Sequence, residues 1–163
     1  MAKKSSIGKL LRSYLIKSRT SLFLVILLTM LGMYLRTSGT IGGYFAFTYD
    51  QGRDFLAWKE MVESKKLSLI GPPTGIDGVF HGVWWHWMLL PVFWLWKGDP
   101  TKVVLTFNVT ASLIIPLAFV LGKQLRDEEM GIILAAATTV SPFFISSAAQ
   151  LWHPNVVPIV TFI

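Results

Sequence analysis

The sequence predicts an all-α polytopic membrane protein with external amphipathic and interfacial helices, and three observations support this. Hydrophobic residues make up 53% of the 163 residues and charged residues only 15%, which is too little charge for the surface of a soluble domain. Two long stretches, Val103–Leu121 and Met130–Gln150, carry no charged residue. A hydrocarbon core of about 30 Å needs about 20 apolar helical residues, and each stretch supplies them. There is no cysteine, which excludes disulfide and thiol chemistry.

Positive charge is concentrated near the N-terminus. Residues 1–36 hold seven of the 15 basic residues and no acid, which leaves eight basic against nine acidic residues in the rest of the chain. A basic segment directly before an apolar one is typical of a cytoplasmic end. We therefore expect residues 1–19 to be a cytoplasmic, basic, amphipathic segment. A nucleic-acid-binding arm and a cleaved signal peptide are less consistent with the long basic region and the further apolar segments.

Apolar runs and their breaks predict the order of the spans. Residues 20–36 form the first transmembrane helix, with Arg19 and Arg36 reaching the two interfaces and the glycines after Arg36 ending the helix. Residues 103–121 and 130–150 form the second and third, each kinked at an internal proline, Pro116 or Pro142. A cytoplasmic loop, 122–129, joins them, and 151–155 is an external turn. Residues 156–163 begin a further apolar segment, so we expect the chain to be the N-terminal part of a larger membrane protein.

The external region, residues 37–102, is predicted to contain two helices. Residues 50–66 repeat apolar side chains at helical spacing, as in an amphipathic helix. Residues 81–97 hold five of the seven tryptophans and an internal proline, Pro91. Because this segment is short and indole rings favour the headgroup zone, an interfacial helix is preferred, although a transmembrane span is the alternative.

Candidate chemistry lies in the same external region. Asp50 and Asp54 are four residues apart, so they share one helix face. Asp50 is interpreted either as the helix N-cap or as a carboxylate whose partial desolvation makes it a base. His81 and His86 are five apart, which is not the spacing of a metal-binding pair. The Asn108-Val-Thr110 sequon lies inside a span, so packing or interhelical hydrogen bonding is expected there rather than glycosylation.

Taken in order, these segments resemble the N-terminal part of the C-type, polyprenyl-phosphate-dependent membrane glycosyltransferases. The closest likeness is to the protein mannosyltransferase and aminoarabinose transferase superfamily. Tyr49-Asp-Gln-Gly-Arg-Asp54 stands where that family has its Asp-Glu motif, and Phe80-His-Gly-Val-Trp-Trp85 stands at the start of its surface helix. Trp152-His-Pro-Asn155 resembles the loop after its third span. Gln51, where many members carry Glu, and Gly82, in place of a proline, are departures that leave Asp50 as the only matched acid.

The resemblance implies a function and a set of site residues. Asp50, with Asp54 as the weaker candidate, orients or deprotonates an acceptor hydroxyl. Arg53, His81 and Asn155 contact phosphate or sugar, and the tryptophans, Trp84 and Trp85 among them, seat a lipid tail or stack on a sugar. The expected partners are a polyprenyl-phosphate-linked sugar, membrane lipids and an acceptor glycan, lipid or protein, with no nucleic acid. No cofactor or metal site is predicted, with a divalent metal left open. The departures from eukaryotic motifs favour a bacterial plasma membrane.

Two other functions remain open on the sequence. A transporter or flippase subunit for a lipid-linked substrate needs polar groups near the bilayer midplane, and the predicted spans offer only Asn108 and hydroxyls. A non-catalytic membrane anchor needs no acidic external helix.

Overall fold

The computed structural model describes the backbone of residues 3–156 and the side chains of residues 19–155, and in these ranges the chain is helical and contains no strand. The predicted all-α class is therefore confirmed. The helices are α1 (Lys3–Ile41), α2 (Tyr49–Ser64), α3 (Trp84–Leu95), α4 (Pro100–Ala111), α5 (Ile114–Leu125), α6 (Glu128–Val140) and α7 (Pro142–Ala148), followed by a 3₁₀ turn, His153–Val156. The apolar segment predicted from residue 156 onward lies, after Val156, outside the described residues.

Two described segments, Arg19–Ile41 and Pro100–Leu125, are long and apolar enough to cross a membrane. The pair α6 and α7 would make a third span if it is counted as one bent segment. Helix α1 runs past the predicted end at Arg36, through Gly39 to Ile41. Its last turn is held by packing, because Thr40 is buried and its hydroxyl accepts a hydrogen bond from Asn108. This outweighs the cost of about 1 kcal/mol for a glycine inside a helix.

Arg36 does not reach the interface, and the prediction that it would is wrong. Its side chain is 2% exposed, between α1 and α6. Nη2 donates to the carbonyl of Thr138 at 2.9 Å, and Nη1 donates to that of Gly32 at 3.0 Å. In a continuous helix the amide of residue 142 would bond to Thr138, but proline has no N–H. The guanidinium therefore satisfies the carbonyl that Pro142 frees, where α6 and α7 meet at 54°.

The expected interhelical role of Asn108 is confirmed. Its Nδ2 donates to the Arg36 carbonyl at 3.0 Å and to the Thr40 hydroxyl at 2.8 Å. These bonds fix α4 to the C-terminal part of α1. The second apolar segment is interrupted between α4 and α5, at Ser112 and Leu113. Because Pro116 provides no amide, the Ser112 carbonyl instead accepts from Ile115 at 3.1 Å, one 3₁₀-type bond.

Helices α5 and α6 form a tight antiparallel hairpin. Only Arg126 and Asp127 separate them, so the connection is shorter than the predicted loop of residues 122–129. Asp127 caps α6, where its Oδ1 accepts from the Met130 amide at 2.9 Å. A Cβ on Gly122 would lie 2.7 Å from the Cα of Gly131, so only glycine permits this approach.

Helices α2 and α3 form a separate layer at the end of the bundle where α1 ends and α4 begins. Side chains of α2 pack on α3 and on the first turns of α4, in a cluster that includes Phe55, Trp58, Met61, Trp85, Leu89, Phe93, Val103 and Phe107. Fully burying each large side chain is worth about 1.5–3 kcal/mol. Helix α3 has 12 residues, which is about 18 Å. This length suits an interfacial helix better than a span.

Candidate functional site

The start of α2 is fixed by Thr48 and Gln51. Thr48 precedes the helix, and the Oε1 of Gln51 accepts hydrogen bonds from its backbone amide (2.8 Å) and its hydroxyl. The interpretation of Asp50 as the N-cap is therefore wrong. Asp50 lies within the first turn, where the helix dipole favours a carboxylate.

Gln51 has a second role, which is to join α2 to a distant segment of the chain. Its Nε2 donates to the carbonyl of Leu151 at 3.2 Å, which joins α2 to the segment after α7. The side chain is 6% exposed. An amide accepts and donates at once, whereas an ionised glutamate only accepts. Glutamate here would face the Leu151 carbonyl without a proton to share.

Arg53 joins the two carboxylates. Nη1 donates to Oδ1 of Asp50 at 3.0 Å, while Nε and Nη2 donate to Oδ1 of Asp54 at 3.1 and 3.0 Å. A guanidinium has five N–H donors, so two remain for another ligand. The predicted trio of Asp50, Arg53 and Asp54 is thus one connected group.

Asp54 is the buried end of this group, and Trp85 holds it by a hydrogen bond. Asp54 is 4% exposed, and its Oδ2 accepts from Nε1 of Trp85 at 2.8 Å. Trp85 is 1% exposed, so its ring offers no face to a sugar or lipid, contrary to the expectation from the sequence. Both residues hold Arg53 in place. Asp50, with a side chain 48% exposed, is the carboxylate that solvent and a ligand can reach.

Asp50 and Arg53 open onto a cavity of about 560 Å³. His81, Trp152, His153 and Pro73–Gly75 also line it. Because residues 73–81 precede α3 and residues 152–154 follow α7, the cavity joins three separate segments. Its volume is within the usual range of small-molecule sites, about 300–1,000 Å³.

His81 is positioned by backbone contacts. Its amide donates to the Pro72 carbonyl at 2.8 Å. A Cβ on Gly71 would lie 2.2 Å from the His81 carbonyl oxygen, so this crossing requires glycine. The His81 ring lies against that of His153, with centroids 3.8 Å apart and planes at 47°.

His153 is a site residue that the sequence reasoning did not select. The Trp152-His-Pro-Asn155 segment is the sequence signal for this region, and it predicts Asn155 rather than His153. Nδ1 of His153 is buried and has no partner among the described residues. Burial, and next the neighbouring His81, lower the pKa of His153 below its usual value.

A second polar cavity, about 530 Å³, lies on the other side of Arg53 and Asp54 and includes His86. Nδ1 of His86 accepts from Nε1 of Trp58 at 2.9 Å, so the proton of the neutral ring is on Nε2. Burial lowers the pKa of His86; Asp54 opposes that shift and Arg53 adds to it.

Two predicted substrate-binding residues lie outside the first cavity. Nδ2 of Asn155 donates to the carbonyls of Ser147 (2.9 Å) and Gln150 (3.0 Å), which stabilises the turn after α7. Asn155 lines a separate small cavity beside Arg36. Trp84 is 44% exposed and is in contact with Trp85 rather than with the carboxylates.

Within the described residues, no group of three His, Cys, Asp or Glu side chains is placed to hold a metal ion. No family model, no curated protein and no solved structure matches this chain.

Proposed function

We propose that the protein is a membrane glycosyltransferase that moves a sugar from a polyprenyl-phosphate donor to an acceptor hydroxyl on the non-cytoplasmic face. One observation carries the proposal. A half-exposed carboxylate, Asp50, is held by Arg53 at the edge of a ligand-sized cavity, at the end of two helices that could span a membrane.

The chemistry needs a base and a leaving group. The acceptor oxygen forms a bond to the anomeric carbon, the bond from that carbon to the phosphate oxygen breaks, and the phosphate keeps the electron pair. The acceptor proton passes to Asp50. Of the two carboxylate oxygens of Asp50, Oδ1 accepts a hydrogen bond from Arg53. Oδ2 has no donor among the described residues, so it is available to take the proton.

Electrostatics favours the role of base for Asp50. With neutral histidines, the charges of Asp50, Arg53 and Asp54 sum to −1. This balance suits the abstraction of a proton better than the binding of a phosphate by Arg53 alone. His81 faces the same cavity, and we assign to it a hydrogen bond to the phosphate. A divalent metal ion would reduce the repulsion between this net negative charge and the phosphate.

The proposed side of the membrane follows from charge. The basic residues 1–19 precede the first candidate span, which favours a cytoplasmic N-terminus. Helices α2 and α3, and with them Asp50, then lie on the opposite side, at the end of α1.

The first prediction is that Asp50→Asn in the full-length protein lowers sugar transfer at least about 100-fold, because general-base catalysis typically contributes 10²–10⁴. The assay is the release of undecaprenyl phosphate from a panel of undecaprenyl-phosphate sugars in proteoliposomes. Asp77→Asn, which removes the same charge from the exposed external turn, serves as the control. Activity of Asp50→Asn within a few-fold of wild type defeats the assignment, and no transfer by wild type favours a non-catalytic anchor.

A transporter is the second candidate, and one observation favours it: the buried Arg36 and Asn108 between the candidate spans. Nε of Arg36 and Oδ1 of Asn108 have no partner among the described residues. The cavity beside Arg36, however, is about 10 Å³, the size of one water molecule. Uptake of a lipid-linked sugar without release of the lipid phosphate would support transport over transfer.

A further inference from the structure

A large cavity lies on the side of α2 away from the carboxylates. It has a volume of about 930 Å³ and is mostly apolar. We call it the α2–α3 groove, with Phe47, Gly52, Leu56 and Lys59 on one side and Trp94 and Lys97 on the other. Leu56 and Trp94 are each 68% exposed in it. So much exposed apolar surface indicates a binding surface.

The groove and the candidate catalytic cavity occupy opposite faces of one helix. Successive residues of an α-helix are about 100° apart. On this spacing Gly52, Leu56 and Lys59 cluster on one face, whereas Asp50 and Asp54 lie about 160° from Gly52. A helix with its side chains is about 10 Å across, so a ligand in the groove is kept apart from Asp50.

The position of the groove relates it to the bilayer. Pro100, the first residue of the second candidate span, lies in its wall. A groove that opens where a span begins lies at the depth of the lipid headgroups. A hydrocarbon chain of the adjacent leaflet therefore has direct access to it.

The charges at its edge select the head group. Lys59 and Lys97 line the groove together with one acid, Glu63. Lys59 and Glu63 are 3.8 Å apart and both well exposed, so their pairing is weak. The net charge of these three side chains is +1, which favours an anionic lipid over a zwitterionic one.

We propose that the α2–α3 groove binds one anionic membrane phospholipid, with an acyl chain between α2 and α3 and the phosphate at Lys59 and Lys97. The polyprenyl-phosphate donor is not the occupant, because a phosphate at these lysines would leave its sugar on the far side of α2 from Asp50. The exclusion of the donor rests on the proposed function, because it takes Asp50 as the base, whereas the binding of an anionic lipid rests on the groove and its lysines alone.

One variant that fills the groove and a matched pair of lysine variants test the site. At Gly52 a Cβ would meet only the Phe47 ring, at 3.9 Å, so Gly52→Leu fills the groove and also improves helix propensity by up to about 1 kcal/mol. Lys97 and Lys65 both have positive φ, 53° and 57°, a conformation that asparagine tolerates. Lys97→Asn thus removes a groove charge, and Lys65→Asn removes a similar charge at the end of α2, outside the groove.

The experiment is native mass spectrometry of the delipidated full-length protein titrated with phosphatidylglycerol and, separately, phosphatidylcholine. We expect wild type and Lys65→Asn to bind one phosphatidylglycerol at least about five-fold more tightly than phosphatidylcholine. Gly52→Leu should lose that lipid, and Lys59→Gln combined with Lys97→Asn should lose the preference. If Gly52→Leu does not fold, the lysine variants decide alone.

Three results overturn the proposal. The first is unchanged retention of phosphatidylglycerol by folded Gly52→Leu. The second is an unchanged preference in the double lysine variant. The third is one-for-one displacement of phosphatidylglycerol by undecaprenyl phosphate in wild type, which would make the groove a donor site. Loss of sugar transfer in Asp50→Asn has no bearing on any of them.

Discussion

At the scale of single residues, the position of Arg53 depends more on its buried partner, Asp54, than on the exposed Asp50. The connected group runs from Trp85 through Asp54 and Arg53 to Asp50. Its buried end is the more expensive to disturb, because a charged group that loses a partner in the interior retains the full cost of desolvation.

Trp85→Phe is therefore expected to lower stability by about 1–3 kcal/mol, since Oδ2 of Asp54 loses its donor in a buried site. Trp87→Phe is the matched control on the same helix, because Trp87 donates to an exposed carbonyl, that of Ser68 at 3.0 Å. Solvent can replace that bond, so a much smaller change is expected. The measurement is the melting temperature in detergent, and equal losses in the two variants contradict the proposed support of Arg53.

Acidification is expected to destabilise the protein through His86 and His153. Burial lowers the pKa of both side chains in the folded state. Near pH 6.5 and below, the unfolded chain binds protons that the folded chain does not, so stability is full above that pH and falls as the pH drops toward the folded pKa values. The melting temperature should be lower at pH 5.0 than at 7.5, with a smaller difference in His153→Gln. A melting temperature that rises on acidification contradicts this.

At the scale of elements, the bend between α6 and α7 and the burial of Arg36 depend on each other. Arg36→Met leaves the Thr138 carbonyl without a donor only while residue 142 is proline. In a Pro142→Ala background, the new amide can bond to Thr138. We expect a coupling of about 0.5–3 kcal/mol between the two substitutions, measured in a double-mutant cycle of SDS unfolding. Additive effects would show that Arg36 does not compensate for Pro142.

The same elements show what the sequence could and could not predict. Apolar length and proline positions predict apolar helical segments and the bend at Pro142, because both depend on local chemistry, but they predict one helix over residues 103–121 where the structure has α4 and α5. The burial of Arg36 depends on a carbonyl about 100 residues away, and the meeting of His81 with His153 depends on tertiary packing of two loops. Helical spacing places Asp50 and Asp54 on one face, and the cap by Thr48 is also local, because Thr48 and Gln51 have the spacing of a capping box.

At the scale of the whole molecule, the absence of cysteine makes the topology directly testable. In the proposed orientation, Asp77→Cys reacts with a membrane-impermeant maleimide from the non-cytoplasmic side, and Arg126→Cys reacts only after the cytoplasmic side is opened. Both positions are exposed, so labelling should report sidedness rather than burial. Reaction of Asp77→Cys from the cytoplasmic side alone would place Asp50 on the wrong side for the proposed transfer.

The glycine contact between α5 and α6 also bears on the order in which the helices assemble. With two connecting residues and backbones in contact at Gly122 and Gly131, these helices need little search to find each other, since the loop between them is so short. They can associate before Arg36 of α1 docks against α6. The α5–α6 pair then provides the surface on which α1 assembles. A bulky residue at position 131 should therefore slow the assembly of the helices without a direct effect on the site at Asp50.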